Sequence, residues 1–148
     1  LVVPGEPGLE AVSRAVAEGM RRAAEESGGA ARITELPLAC AEEQAAHLAR
    51  RWRDLGLDAV FAHNDEYAML LMRALQDEGI AVPAETAVMG ADDLLLGRLL
   101  RPRLSTVRIG LPSGEALAEL VDRVVRASGP RLEVRDLLRV AAVQREST

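Results

Sequence analysis

The stretch "LDAVFAHNDEYAML", Leu57 to Leu70, decides the fold. An apolar run from Leu57 to Ala62 reads as a strand and stops at His63-Asn64-Asp65-Glu66. Ala68, Leu71, Met72 and Leu75 then recur at helical spacing until Gly79 closes the pattern. A strand that runs straight into a helix, with polar groups packed at the junction, raises one question: do those groups cap the helix, hold a ligand, or do both?

Working outward, the same alternation continues. Leu1-Val2-Val3 is a short apolar run stopped by Pro4-Gly5, and Leu9, Val12, Val16 and Met20 share one helical face before Ser27-Gly28-Gly29. Arg32 to Leu36 reads as a strand, and Ala41, Ala45, Leu48, Trp52 and Leu55 as one helix ended by Gly56. Thr86 to Met89 is a strand, Leu94 to Leu100 a short helix, and Leu104 to Ile109 is extended. Leu117, Leu120, Val121, Val124 and Val125 mark a helix after Pro112, and Leu138 to Val143 a final strand. Strands alternating with helices predict an α/β fold, an open and mostly parallel sheet with helices on both faces. Ligands of such sheets bind beyond the carboxyl ends of the strands. That rule singles out Pro4–Gly8, His63–Glu66 and Gly90–Asp93.

Composition narrows the function. The 148 residues suit one domain, 49% of them are hydrophobic, and the only aromatics are Trp52, Phe61 and Tyr67. The core is therefore aliphatic. A net charge of −5 with interspersed signs and no basic block disfavours direct nucleic-acid binding, which needs concentrated positive charge. No apolar run is long enough to span a bilayer, and the lone Cys40 allows no internal disulfide, which fits a cytoplasmic home.

Asn64 is a good N-cap, with Asp65 and Glu66 as first-turn charges favourable to the helix dipole. The alternative is that Asn64 caps and also turns its amide toward a ligand. Gly90-Ala91-Asp92-Asp93 repeats the arrangement: one carboxylate can cap the helix from Leu94, and the other is left to accept ligand hydroxyls. Metal binding or acid–base work by the pair lacks a supporting histidine and enough oxygen donors. Gly5-Glu6-Pro7-Gly8 is a turn, since a phosphate loop would need a dinucleotide fingerprint or a lysine. His47 reads as solvated, His63 as lining a pocket or simply closing its strand, and Cys40 as structural. No nucleophile–base set emerges, so neither an enzyme nor a cofactor is expected.

The ordered train "DAVFAHNDEYAMLLMRALQDEGIAVPAETAVMGADD", "RPRLSTVRIG" and "QREST" resembles the effector-binding domain of the LacI/GalR family of bacterial transcription regulators. The resemblance is strong over Leu57 to Ile109 and looser elsewhere. It implies one lobe of a type I periplasmic-binding-protein-like fold, with a sugar-like or other small polar effector in a cleft between two lobes. On this reading residues 1–110 form the C-terminal lobe, residues 111–130 a helix of the missing N-terminal lobe, and residues 131–148 a crossover and last strand. Asn64 and Asp92 match the family's effector-contacting Asn and Asp. Other contact positions depart: Val16 stands where an arginine is usual, Leu36-Pro37-Leu38 is apolar, and Ile109 replaces a polar hinge contact.

The resemblance further implies a homodimer and DNA binding only through a helix-turn-helix head outside this sequence, with no membrane partner. The helix at Leu117–Val125 is then expected to lack its usual sheet and to pack on another copy or on its own lobe. The rivals are an extracytoplasmic solute-binding protein of a transporter and a small α/β enzyme using Asp92, Asp93 and His63.

Overall fold

The computed structural model describes residues 1–5, 8–29, 31–126 and 138–148. The elements run β1 (Val2–Pro4), α1 (Glu10–Glu26), β2 (Leu36–Leu38), α2 (Glu42–Arg50), α3 (Trp52–Leu55), β3 (Ala59–Phe61) and α4 (Asp65–Asp77). They continue with β4 (Ala87–Ala91), a 3₁₀ turn (Leu95–Arg98), β5 (Ser105–Gly110), α5 (Gly114–Val125) and β6 (Arg139–Val143).

β3, β4 and β5 pair in parallel, and β6 joins β5 antiparallel, from Thr106 opposite Val143 to Gly110 opposite Arg139. β1 and β2 form a parallel pair, and Val2 bridges to Ala62 beside β3. The result is a mixed sheet flanked by helices, parallel except at β6. Antiparallel pairing there was not readable, because an apolar run carries no sign of the direction in which it will pair.

α4 is the central helix. The expected stripe of Ala68, Leu71, Met72 and Leu75 is buried throughout, with Tyr67 and Ala74 beside it. Each large side chain of that stripe contributes on the order of 2 kcal/mol by leaving water. α2 packs against α4 through Ala45 and Ala49, whose small side chains allow close approach.

Three sequence expectations shift. The strand expected at Arg32–Leu36 forms instead at Leu36–Leu38, where Leu36 and Leu38 point inward and Pro37 outward. Proline is tolerated there because β2 is an edge strand. The helix expected from Ala41 to Leu55 breaks at Arg51, and Trp52 turns inward to donate its indole Nε1–H to Thr86 Oγ1 at 2.8 Å. On α1 only Ala17 is buried, and Val12 is half exposed, so this helix is the least covered of the lobe's own.

The chain end is part of the core. Ser147 is fully buried: its hydroxyl donates to Val88 O at 2.6 Å and accepts from Ser105 N–H at 2.8 Å. Its carbonyl accepts from Val88 N–H at 2.7 Å.

α5 differs from every other helix. Ser113 caps it, its oxygen accepting from Ala116 N–H at 3.2 Å, yet no residue in it is buried. Val124 and Val125 are 71% and 78% exposed, and Leu117 and Val121 about half. The expectation that it could fold back on its own lobe is therefore wrong. The core cluster draws its helical residues from α2, α3 and α4, and none from α5.

Candidate functional site

β3 and β4 are neighbours in register from Ala59 opposite Ala87 to Phe61 opposite Met89, so their carboxyl ends open at the same edge. Asn64 leaves the first and Asp92 the second.

Asn64 has an extended backbone, and its Oδ1 accepts from Tyr67 N–H at 3.1 Å. The expected cap is present. Its amide nitrogen donates to no group among the described residues, so half of the side chain's bonding capacity is unspent. Asp92 is exposed and holds φ +100°, its backbone N–H donating to Val107 O at 2.9 Å. Its carboxylate accepts no hydrogen bond among the described residues. An amide donor and a carboxylate acceptor with free capacity thus stand at adjacent strand ends.

The neighbours of this pair behave otherwise than expected. Asp65 lies in the first turn of α4, but its side chain is fully buried rather than a solvated charge. Its Oδ1 accepts from Thr106 Oγ1 at 2.6 Å and its Oδ2 from Leu94 N–H at 2.7 Å. Burial pushes its pKa up, opposed by these two hydrogen bonds and reinforced by the Asp92 and Asp93 charges. Only Glu66 is the exposed first-turn charge the sequence suggested.

Neither Asp92 nor Asp93 caps the turn that follows. The 3₁₀ turn starts after Leu94, which has no side-chain cap, and Asp65 takes the Leu94 N–H from across the sheet edge. Asp93 is spent on arginines instead. Its Oδ2 accepts from Arg108 Nε at 2.7 Å and Arg98 Nη2 at 2.9 Å, and its Oδ1 from Arg145 Nη2. Arg145 also donates Nη1 to Leu104 O at 2.6 Å. The Arg145 hydrogen bond, outweighing burial and joined by Arg108, holds the Asp93 carboxyl down to about 2. Asp93 is therefore a structural anion that locks the loop after β4 onto β5 and the chain end.

The remaining sequence candidates are not drawn in. His63 is half-buried and packs edge-on to Tyr67, ring centroids 5.9 Å apart, and no bond links it to Asp92 or Asp93 among the described residues. His47 is exposed on α2, as expected. Cys40 is exposed rather than part of the core. Glu6 and Pro7 of the Gly5–Gly8 turn lie outside the described residues. Among the described residues no three His, Cys, Asp or Glu side chains group as a metal site would, and no helix is long and apolar enough to cross a membrane.

Of the three departing positions, Val16 is half-buried, Leu36 and Leu38 are core residues, and Ile109 is 46% exposed. Sequence reasoning missed Asp65, Thr106, Arg145 and Ser147 as the residues that hold the loop and chain end. Local spacing carried no signal for them, because their partners lie 13 to 59 positions away.

Polar groups at the carboxyl ends of adjacent parallel strands stand where ligands of such sheets bind. The pattern of the periplasmic binding protein-like domain matches residues 1–148. The HTH-type transcriptional regulator GalR of Escherichia coli (strain K12) is 32% identical over 142 residues, covering 96% of this chain and 36% of its own length. The transcriptional regulator CelR in complex with cellobiose superposes with TM-score 0.70 at 25% identity, over 99% of this chain and 46% of its own. A LacI family regulator from Arthrobacter sp. FB24 in complex with lactose superposes with TM-score 0.65 at 28% identity, over 88% and 50%.

The chain belongs to the periplasmic binding protein-like domain family, as the C-terminal lobe of a LacI/GalR-type effector-binding domain. It spans about a third of the length of GalR, at 36%, and about half that of the solved relatives, at 46% and 50%.

Proposed function

We propose that this lobe forms one wall of the effector cleft of a cytoplasmic transcription regulator. In it, Asn64 donates to, and Asp92 accepts from, the hydroxyls of a sugar-like effector. The observation that carries the reading is the unspent pair itself: an amide donor and a carboxylate, both without a partner among the described residues, at the carboxyl ends of adjacent parallel strands. Solved relatives hold cellobiose and lactose, ligands dense in hydroxyls. Val16 in place of an arginine removes from α1 one bidentate donor for an anion or for vicinal hydroxyls.

Residues 1–110 serve as the lobe, and residues 111–130 as a helix contributed to a second lobe, of which α5 is the described part. Residues 131–148 return the chain, with β6 and the buried Ser147 as their described part. The exposed apolar face of α5 supports that division. Effector binding changes the angle between lobes and so biases a DNA-binding head carried elsewhere in the protein, a coupling between two sites. Two copies assemble as a two-fold dimer.

Calorimetric titration of the regulator that contains this chain with galactose, lactose and cellobiose tests the reading. Asn64→Ala and Asp92→Ala are each expected to weaken binding of a sugar that binds by about tenfold or more, as for loss of a charged or amide hydrogen bond. Unchanged affinity in both variants, or no binding of any of the three sugars, overturns it.

A further inference from the structure

Asp65 sits between the two candidate effector contacts without being one. It follows Asn64 in the chain, and its buried carboxylate reaches across to the loop that carries Asp92. That loop is strained: Asp92 and Asp93 hold φ +100° and +54°, a region side chains rarely occupy. Such a turn persists only if its surroundings hold it.

Beside the arginines gathered on the Asp93 side chain, one set of groups that holds the turn's backbone converges on Asp65. Its Oδ2 accepts from the N–H of Leu94, directly after the strained pair, at 2.7 Å. Its Oδ1 accepts from Thr106 Oγ1 at 2.6 Å, and that same oxygen accepts from the N–H of Asp93 at 3.3 Å. Both backbone donors leaving the turn are thus tied, directly or through one hydroxyl, to a single carboxylate on α4. Gly90 makes room for it: a Cβ there would lie 2.3 Å from Asp65 Oδ1 and 3.0 Å from its Cα. α4 does not need Asp65 as a cap, since Asn64 already supplies one. A buried carboxylate is costly, and this one spends its bonds on the turn rather than on its own helix.

We propose that Asp65, acting through Thr106, is the positioning residue of the effector site. It sets the Asp92 carboxylate at a fixed place relative to Asn64, so that the two ends of the site form one rigid unit. This rests on the reading of Asn64 and Asp92 as effector contacts.

The test uses Asp65→Asn, Thr106→Val and Thr106→Ser. Valine keeps the shape of threonine but removes its hydroxyl, and serine restores it. Amide exchange of the chain is followed at Asp93 and Leu94, with Leu71 and Met72 in the middle of α4 as the reference. Thr106→Val is expected to speed exchange at Asp93 by about tenfold relative to that reference, and Thr106→Ser to return it. Asp65→Asn is expected to speed exchange at Asp93, Leu94 or both. A merely structural role would raise exchange at all four amides together. In the regulator, the same variants are expected to weaken the sugar that Asn64 and Asp92 recognise by about tenfold. The proposal falls if exchange at the turn is unchanged. It also falls if Asn64→Ala and Asp92→Ala weaken binding while Asp65→Asn and Thr106→Val do not, which leaves the site assignment standing. If Asn64→Ala and Asp92→Ala leave binding unchanged, the site assignment itself fails and takes the proposal with it.

Discussion

Replacing Asp93 by asparagine probes the interaction that ties the loop after β4 to the chain end. The folded lobe holds this carboxyl at about 2 against an ordinary 3.8, chiefly through Arg145 and then Arg108. At roughly 1.4 kcal/mol for each pH unit, that difference corresponds to about 2 kcal/mol of stabilisation. Arg98 and Arg108 are 49% and 54% exposed, so water screens their share, and about 1 kcal/mol is the better expectation for the charge itself. Arg145 is only 11% exposed, and losing its anion adds about 1–2 kcal/mol for a charge left without its partner.

The sign follows from the lowered pKa. The contribution is present above the unfolded value near 3.8 and is lost as pH falls through the folded value of about 2. Urea unfolding of the parent chain and Asp93→Asn, compared from neutral pH down to about pH 2, isolates this group because the other carboxylates are common to both. The two stabilities should differ by about 2–3 kcal/mol near neutrality and draw together at the acid end. A difference that stays constant with pH would refute the argument, since it would mean that the ionised carboxylate is not what stabilises the loop.

Gly90→Ala puts a Cβ within 2.3 Å of Asp65 Oδ1, and backbone at 3.0 Å blocks relief by side-chain rotation alone. Chemical denaturation should show a loss of about 2–3 kcal/mol, with faster exchange at Leu94. Ser147→Ala leaves the N–H of Ser105 without its acceptor and Val88 O without its hydroxyl donor in the core, which should cost about 1–3 kcal/mol by the same measurement. Trp52→Phe strands the Thr86 hydroxyl from its indole donor and should lower stability by about 1–2 kcal/mol. Val121→Ser and Val124→Ser on α5 should change the chain's unfolding by no more than about 0.5 kcal/mol, because neither side chain is buried in it.

α4 was legible because its information is local: an asparagine cap, apolar positions at helical spacing and a closing glycine all lie within one short segment. The alternation of strands and helices, and hence a mostly parallel α/β lobe, followed from the same kind of signal. So did Asn64 and Asp92 as groups at strand ends, once the ordered motifs around them were read together. Asp65 shows where this stopped. Beside Asn64 it has the same sequence context as Glu66, yet one is buried and the other exposed. What separates them is a space opened by Gly90 on β4 and a hydroxyl from Thr106 on β5, neither visible until the strands align.

The antiparallel entry of β6, the burial of Ser147 and the arginines gathered on Asp93 likewise depend on partners far along the chain. The sequence by itself determined the alternating order of helices and strands, though not the bounds of β2 or the break at Arg51, because hydrophobic period and capping act between near neighbours. Which polar side chains are buried, and which keep bonds free for a ligand, was decided only by the tertiary structure. A hydrogen bond between residues dozens of positions apart exists only after the sheet has brought them together.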